Sequence, residues 1–183
     1  MAKLRKQHMT IHWHDIIQAD SNVPAVDATL KEKATLVGRL GLMMLSVGTG
    51  AWRVRNSMNK VSRSLGISCS ADIGLVSIEC TCIGDNETYT QSLSLPTTGV
   101  NTDKLMELEM FMRDFPDLAG EYSVNQFHEV LDHIQKKPAN YKAWNLGLAS
   151  AIACCAFTFL LGGGPVEMIC AFLAQAPEIL SGS

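Results

Sequence analysis

The longest apolar run of the chain constrains its fold more than any other feature. Ala143–Leu161 carries no charged side chain over nineteen positions, and a second, mostly apolar run, Val166–Leu180, follows a GGGP sequence. An apolar stretch of about 18 residues or more is long enough for a helix to cross the roughly 30 Å hydrocarbon core of a membrane. The pattern therefore predicts a membrane helical hairpin over 141–183, as the start of a larger bundle.

The positions of the basic residues predict the orientation of this hairpin in the membrane. All fifteen Lys and Arg residues lie at or before Lys142, and Lys136, Lys137 and Lys142 stand just before the apolar run. Basic flanks are typical of the cytoplasmic side of a membrane helix. We therefore expect residues 35–140 to form a cytoplasmic domain, preceded by a mobile arm over 1–34. The arm lacks the apolar segment of a signal peptide.

The predicted cytoplasmic domain combines helices with a small sheet. Apolar residues recur at helical spacing over Leu36–Leu65, and Gly48-Thr49-Gly50 is expected to kink or split that helix before Gly66 ends it. Ile67–Ile83 alternates in two phases, which indicates a strand with a bulge or bend, and Thr88–Leu95 reads as the returning strand of a hairpin.

Two amphipathic helices are predicted after the hairpin. Asn101 is expected to cap the first, and Ser123 with Gln126 forms a capping box at the start of the second. On that second helix, His128 and His133 are five residues apart and are expected to be surface residues. The predicted fold class is thus α+β, a small helix/β-hairpin domain followed by transmembrane helices.

The first long helix is expected to have a basic polar face. No acidic residue occurs between Glu32 and Asp72, whereas Arg39, Arg53, Arg55, Lys60 and Arg63 all fall within that span. The simpler interpretation is a solvated face paired with acids elsewhere in the chain. The sharper ones are a site for an anionic ligand or for lipid headgroups. No nucleic acid is expected, because no aromatic platform accompanies the charge.

Motifs for catalysis, nucleotide binding or cofactor binding are absent from the sequence. We therefore expect neither an enzyme nor a cofactor. Cys80 and Cys82 are interpreted as buried free thiols on one strand face rather than a redox pair. His12 and His14 share a side of an extended segment, but no further ligands follow at a recognised spacing, so an ordinary polar arm is favoured over a metal site.

Two polar residues of the apolar segment are candidates for transport or proton coupling. Glu167 follows the Gly162–Gly164 turn, and an ionisable group within a membrane helix is expensive and often functional. The alternative for Glu167 is a carboxylate at headgroup level. Asn145 is interpreted as an interfacial residue or an interhelical hydrogen-bonding group.

Several segments together resemble a known family. They are the helix Gly38–Val54, the Ile-Ser-Cys strand after Gly66, Gly99–Leu105, the Tyr141–Trp144 entry to the apolar run, and Phe157–Gly164 leading to Glu167. Their order and spacing resemble the N-terminal half of the threonine/serine exporter family of inner-membrane proteins, from about Leu36 to Gln175.

The resemblance implies an ion-gradient-driven exporter of small amino acids or related organic acids. It also implies that a second membrane subunit, or a missing half of the transporter, acts with this chain. By position, Gly48 and Arg53 match the family's helix, Gly162 and Gly163 its glycine turn, and Glu167 the acidic position after that turn.

The chain departs from the family pattern in its length. The family's first half has more membrane spans than the residues from Ala143 to Ser183 can supply, so the chain is expected to be a fragment or a shortened homologue. A second hypothesis is a soluble binding or regulatory module. In it, Trp144–Leu180 forms a buried helical hairpin or an oligomer interface, and the basic face around Arg53 takes an anionic ligand.

Overall fold

The structure is a computed structural model that describes residues 23–137 and 143–174, together with Trp13. It divides into two units, Met1–Lys137 and Pro138–Ser183. His12 and His14, and with them most of the predicted N-terminal arm, lie outside the described residues.

The first unit opens with two helices joined by a glycine-containing turn. Helix α1 covers Leu30–Ser46 and α2 covers Ala51–Ser64. The predicted break is therefore a complete split, and it falls at Gly48, whose φ of 78° lies in the left-handed region that glycine tolerates best. Gly66, also at positive φ, follows the end of α2 as predicted.

Three strands follow and form an antiparallel sheet in the order β1-β2-β3. Strand β1 covers Ser68–Ile73, β2 covers Ser77–Ile83 and β3 covers Thr88–Ser94. The change of phase that the sequence shows near Gly74 is a reversal of the chain, because the Gly74 amide donates to the Ser77 carbonyl oxygen at 2.9 Å. The expectation of a bulged strand in a two-stranded hairpin was wrong.

Two capped helices complete the first unit. Helix α3 covers Thr102–Leu118 and α4 covers Val124–Lys136. Asn101 caps α3 through a 3.0 Å bond from the Lys104 amide. Ser123 forms the predicted capping box of α4 with its third residue, Gln126. Both predicted caps are confirmed.

These elements form three layers, with α1 in the middle layer. Helices α1 and α2 cover one face of the sheet, and α3 and α4 pack on the other side of α1 and α2. Because α1 is covered on both sides, twelve of its seventeen residues are buried. A Cβ on Gly38 would lie 2.2 Å from Gln91 Nε2 of β3, so the glycine lets α1 approach the sheet closely.

The second unit is a pair of helices. Helix α5 covers Ala143–Leu160 and α6 covers Pro165–Ala174. The amides of Gly162 and Gly163 donate to the carbonyl oxygens of Phe159 and Thr158 at 3.0 and 2.9 Å, which is the bonding of a Schellman motif. The predicted tight glycine turn is confirmed.

The prediction of transmembrane helices was wrong. None of the helices within residues 23–137 and 143–174 combines the length and the apolar character that crossing a membrane requires. Helix α5 ends at Leu160, where the Schellman motif turns the chain, and its first half includes Asn145, Gly147 and Ser150.

The turn between α1 and α2 gives a test of this fold. We expect Gly48→Ala to lower the free energy of unfolding by about 1–2 kcal/mol, because an L-residue is strained at this φ. Its Cβ would also lie 3.2 Å from a side-chain carbon of Val100. Urea denaturation of the two proteins measures the difference.

The matched control is Gly120→Ala. No atom lies within 4 Å of a Cβ at Gly120, and its φ is not positive. This variant should therefore change the free energy of unfolding by no more than about 0.5 kcal/mol. Equal losses for the two variants would contradict the assigned strain at Gly48.

Candidate functional site

A buried arginine occupies the middle of the first unit. Arg39 lies on α1, and only 1% of its surface is exposed. The sequence placed it on a solvated basic face, and that placement was wrong because α1 is covered on both sides. A charged side chain in such a position requires hydrogen-bond partners and an opposite charge nearby.

Helix α4 supplies those partners. Arg39 Nη1 donates to His128 Nδ1 and to the His128 carbonyl oxygen, both at 3.0 Å. Arg39 Nη2 forms an ion pair with Asp132 and donates to Gln135 Oε1 at 3.2 Å. Because the guanidinium group can only donate, His128 Nδ1 must accept, which requires a neutral imidazole with its proton on Nε2.

Burial and pairing act on the charge of Arg39 in opposite directions. Desolvation lowers the pKa of Arg39 from its ordinary value, while the hydrogen bond and the negative charge of Asp132 raise it. An arginine starts from so high a value that it stays protonated at neutral pH. Arg39 therefore keeps its positive charge inside the unit, where the carboxylate of Asp132 balances it.

Trp13 covers one side of this cluster. Its ring stacks on His128 with centroids 6.3 Å apart and an angle of 17° between the planes. The Arg39 Cζ atom lies 5.5 Å from the centroid of the Trp13 ring, within the range of a cation–π interaction. His128 is fully buried, so its predicted surface position was wrong, whereas His133 is exposed as expected.

Three cysteines form a second cluster on the covered face of the sheet. Cys69 pairs across the strands with Cys82, and Cys80 is the next covered position on β2. Hydrogen bonds with Cys69 and Cys82 lower the pKa of the Cys80 thiol, and hydrogen bonds with Cys69 and Cys80 raise the pKa of the Cys82 thiol. Cys80 and Cys82 are buried, as predicted. Across the described part of the chain, no group of His, Cys, Asp and Glu residues is placed to hold a metal ion.

The two helix positions singled out in the sequence have structural roles. Gly48 makes the turn between α1 and α2. Arg53 lies on α2 with its Nη2 atom 3.4 Å from Glu109 Oε1 of α3. Both side chains of this ion pair are almost half exposed, so it contributes at most about 1 kcal/mol.

The transport candidates lie in the second unit and are not close to each other. Glu167 is exposed in the first turn of α6, directly after the glycine turn. A negative charge there is stabilised by the helix dipole. Asn145 is exposed at the opposite end of α5, which separates it from the turn by about 22 Å of helix. The structure therefore does not assemble Glu167 and Asn145 into one site, and their transport roles stay predictions.

The chain matches a known family through both units. Residues 35–176, more than three quarters of the chain, match the family described as "Putative threonine/serine exporter". The chain belongs to this family. The resemblance inferred from the order of its sequence segments is thereby confirmed.

A relative within this exporter family shows how much of a longer protein the chain represents. A Mycobacterium tuberculosis protein named "Probable threonine/serine exporter" is 26% identical to this chain over 140 residues. The aligned region covers 75% of this chain and 26% of that protein, so the chain spans about a quarter of the length of its exporter relative. No solved structure matches the chain.

Sequence reasoning missed the cluster around Arg39, although one signal pointed to it. Ala34–Leu45 is apolar or small at every position except Thr35 and Arg39. A helix that is apolar on all sides is typical of a fully buried one, and a single arginine inside it must then be buried too. The sequence around Arg39 does not indicate which residues of α4 pair with it.

The buried ion pair gives a second test. We expect Arg39→Met to lower the free energy of unfolding by about 3 kcal/mol, because it removes four hydrogen bonds and leaves Asp132 without this cation. The value is at the lower end for such pairs, since Asp132 is 29% exposed. Chemical denaturation measures the loss.

Arg53→Met is the matched control, because it removes the same group from an exposed ion pair. It should lower the free energy of unfolding by less than about 1 kcal/mol. A loss as large as that of Arg39→Met would show that burial of the pair is not what determines its contribution.

Proposed function

We propose that this chain is one part of an exporter of threonine, serine or related small organic acids, driven by an ion gradient. In this proposal the protein acts at the inner membrane, residues 35–137 lie on the cytoplasmic side, and a second subunit or further chain completes the transport path. The observation that carries the proposal is that the family match runs continuously through both units.

The surface of the second unit supports the need for a partner. Eight large apolar residues of α5, α6 and their turn are exposed by 56% to 87%: Ile152, Phe157, Phe159, Leu160, Leu161, Val166, Ile169 and Leu173. Exposed apolar surface of this extent marks an interaction site. A partner of matching chemistry is an assembly of apolar helices, the kind of structure that an exporter family uses to form its transport path.

The alternative function, a soluble binding module, has α5 and α6 either as a buried hairpin or as an oligomer interface. The exposed side chains of Phe157, Leu160 and Ile169 argue against the buried hairpin. The basic face around Arg53 also carries less free charge than its composition indicates, because Arg53 forms an ion pair with Glu109.

Threonine efflux tests the proposal. A bacterial strain without threonine export is loaded with labelled threonine and expresses this chain, a candidate partner, or both. We expect efflux above background only when both are present, because this chain supplies about a quarter of the length of an exporter relative. We also expect the two chains to purify together.

Substitutions on the exposed surface separate assembly from overall stability. Phe157→Asp should abolish both co-purification and efflux, because it places a charge on the apolar surface of α5. Leu75→Asp is the control, since Leu75 is 85% exposed in the turn between β1 and β2. Efflux from the chain alone, or equal effects of the two variants, would contradict the proposed assembly.

Glu167 is the proposed proton-coupling group of this exporter. Glu167→Gln in the assembled protein should reduce efflux by roughly tenfold or more. It should also remove the dependence of efflux on external pH, because an amide side chain cannot act as a carboxylic acid that gives up and takes up a proton. Glu121→Gln, at an exposed position of the first unit, is the control. Unchanged efflux with unchanged pH dependence would exclude Glu167 from the coupling step.

A further inference from the structure

A cavity of about 110 Å³ lies beside the Arg39 cluster. Side chains of α1, α3 and α4 line it together with Trp13, and most of the wall is apolar: Leu42, Met43, Val47, Leu108 and Ile134. A cavity of about 150 Å³ is known to bind benzene, so this smaller one admits a ligand of at most about six heavy atoms. It is too small for a nucleotide.

Two cations in the wall of this cavity bond to the same residue. Lys104 Nζ donates to the Gln135 carbonyl oxygen at 2.8 Å, and Arg39 Nη2 donates to Gln135 Oε1 at 3.2 Å. All three residues line the cavity. Gln135 thus joins the two positive groups, one through its backbone and one through its side chain.

One hydrogen-bond donor of this pair has no acceptor. Arg39 Nε is buried and has no hydrogen-bond partner among the described residues, although both Nη atoms are bonded to α4. A buried N–H group without an acceptor is costly, and an oxygen atom inside the cavity would remove that cost. A ligand that satisfies Arg39 Nε must therefore offer a hydrogen-bond acceptor.

The charge of the lining points to the same kind of ligand atom. None of the described residues that line the cavity is acidic, and Asp132, which pairs with Arg39, is outside the lining. Ser46 lines the cavity and uses its hydroxyl hydrogen for the Met43 carbonyl oxygen. The polar end of the cavity therefore favours an anion.

We infer that this cavity binds a short aliphatic monocarboxylate. Its carboxylate would accept hydrogen bonds from Arg39 Nε and Lys104 Nζ, and its tail would contact Leu42, Leu108 and Ile134. An α-amino acid fits less well, because its ammonium group would lie beside two cations with no carboxylate in the wall to receive it. The inference rests on the first unit alone and is independent of the proposed export activity.

Butyrate is a suitable probe, with butyramide as its uncharged counterpart and threonine as the amino acid. In the full chain, held in a mild detergent, Trp52 and Trp144 are replaced by Phe so that Trp13 at the cavity wall is the remaining indole. Titration of Trp13 fluorescence should show saturable butyrate binding. The affinity should be at least tenfold higher than that for butyramide or threonine.

Charge and volume variants locate the binding. Lys104→Met should weaken butyrate binding by about tenfold, whereas Lys60→Met, which removes an exposed lysine of α2, should not change it. Ser46→Leu should abolish binding by filling the cavity while both cations remain. Circular dichroism checks that each variant is folded. If Ser46→Leu does not fold, the comparison of Lys104→Met with Lys60→Met tests the inference by itself.

Four results would overturn the inference. They are the absence of saturable butyrate binding, equal affinity for butyramide, equal affinity for threonine, and equal weakening by Lys104→Met and Lys60→Met. Equal weakening by the two lysine variants would show that butyrate responds to the net charge of the chain and not to a site in this cavity.

Discussion

Helix α1 is covered by the sheet on one side and by α3 and α4 on the other, and the rest of the first unit is built around that burial. A helix without a solvated face cannot place a charge in water, so Arg39 must find its partners inside. Helix α4 provides them through His128, Asp132 and Gln135. The position of α4 is therefore fixed by directed polar bonds as well as by apolar packing.

Features that depend on neighbouring residues could be predicted from the sequence. The caps at Asn101 and Ser123, the turn at Gly48 and the end of α2 at Gly66 all follow from the conformational preferences of a few adjacent residues. The pairing of Arg39 with α4 joins residues about ninety positions apart. No local pattern contains that information, and the buried cluster was missed for this reason.

The apolar run shows a different limit of sequence reasoning. Its composition indicates surface that water does not favour, but it does not fix the length of each helix or what covers the surface. The Schellman motif at Gly162 and Gly163 ends α5, and Pro165 begins α6. The sequence indicated this turn, but the hydropathy argument treated the apolar helices on either side of it as membrane spans.

The two units differ in how much of their apolar surface they bury. The first unit buries its apolar side chains in a continuous core of its own, from Leu36 of α1 to Leu131 of α4. The second unit exposes Phe157, Leu160 and Ile169, and exposed apolar surface of this kind is typical of an interaction site. In the proposed assembly a partner covers this surface, whereas the cavity beside Arg39 is lined by residues of this chain. A ligand bound there would act on α1, α3 and α4 before any partner is present.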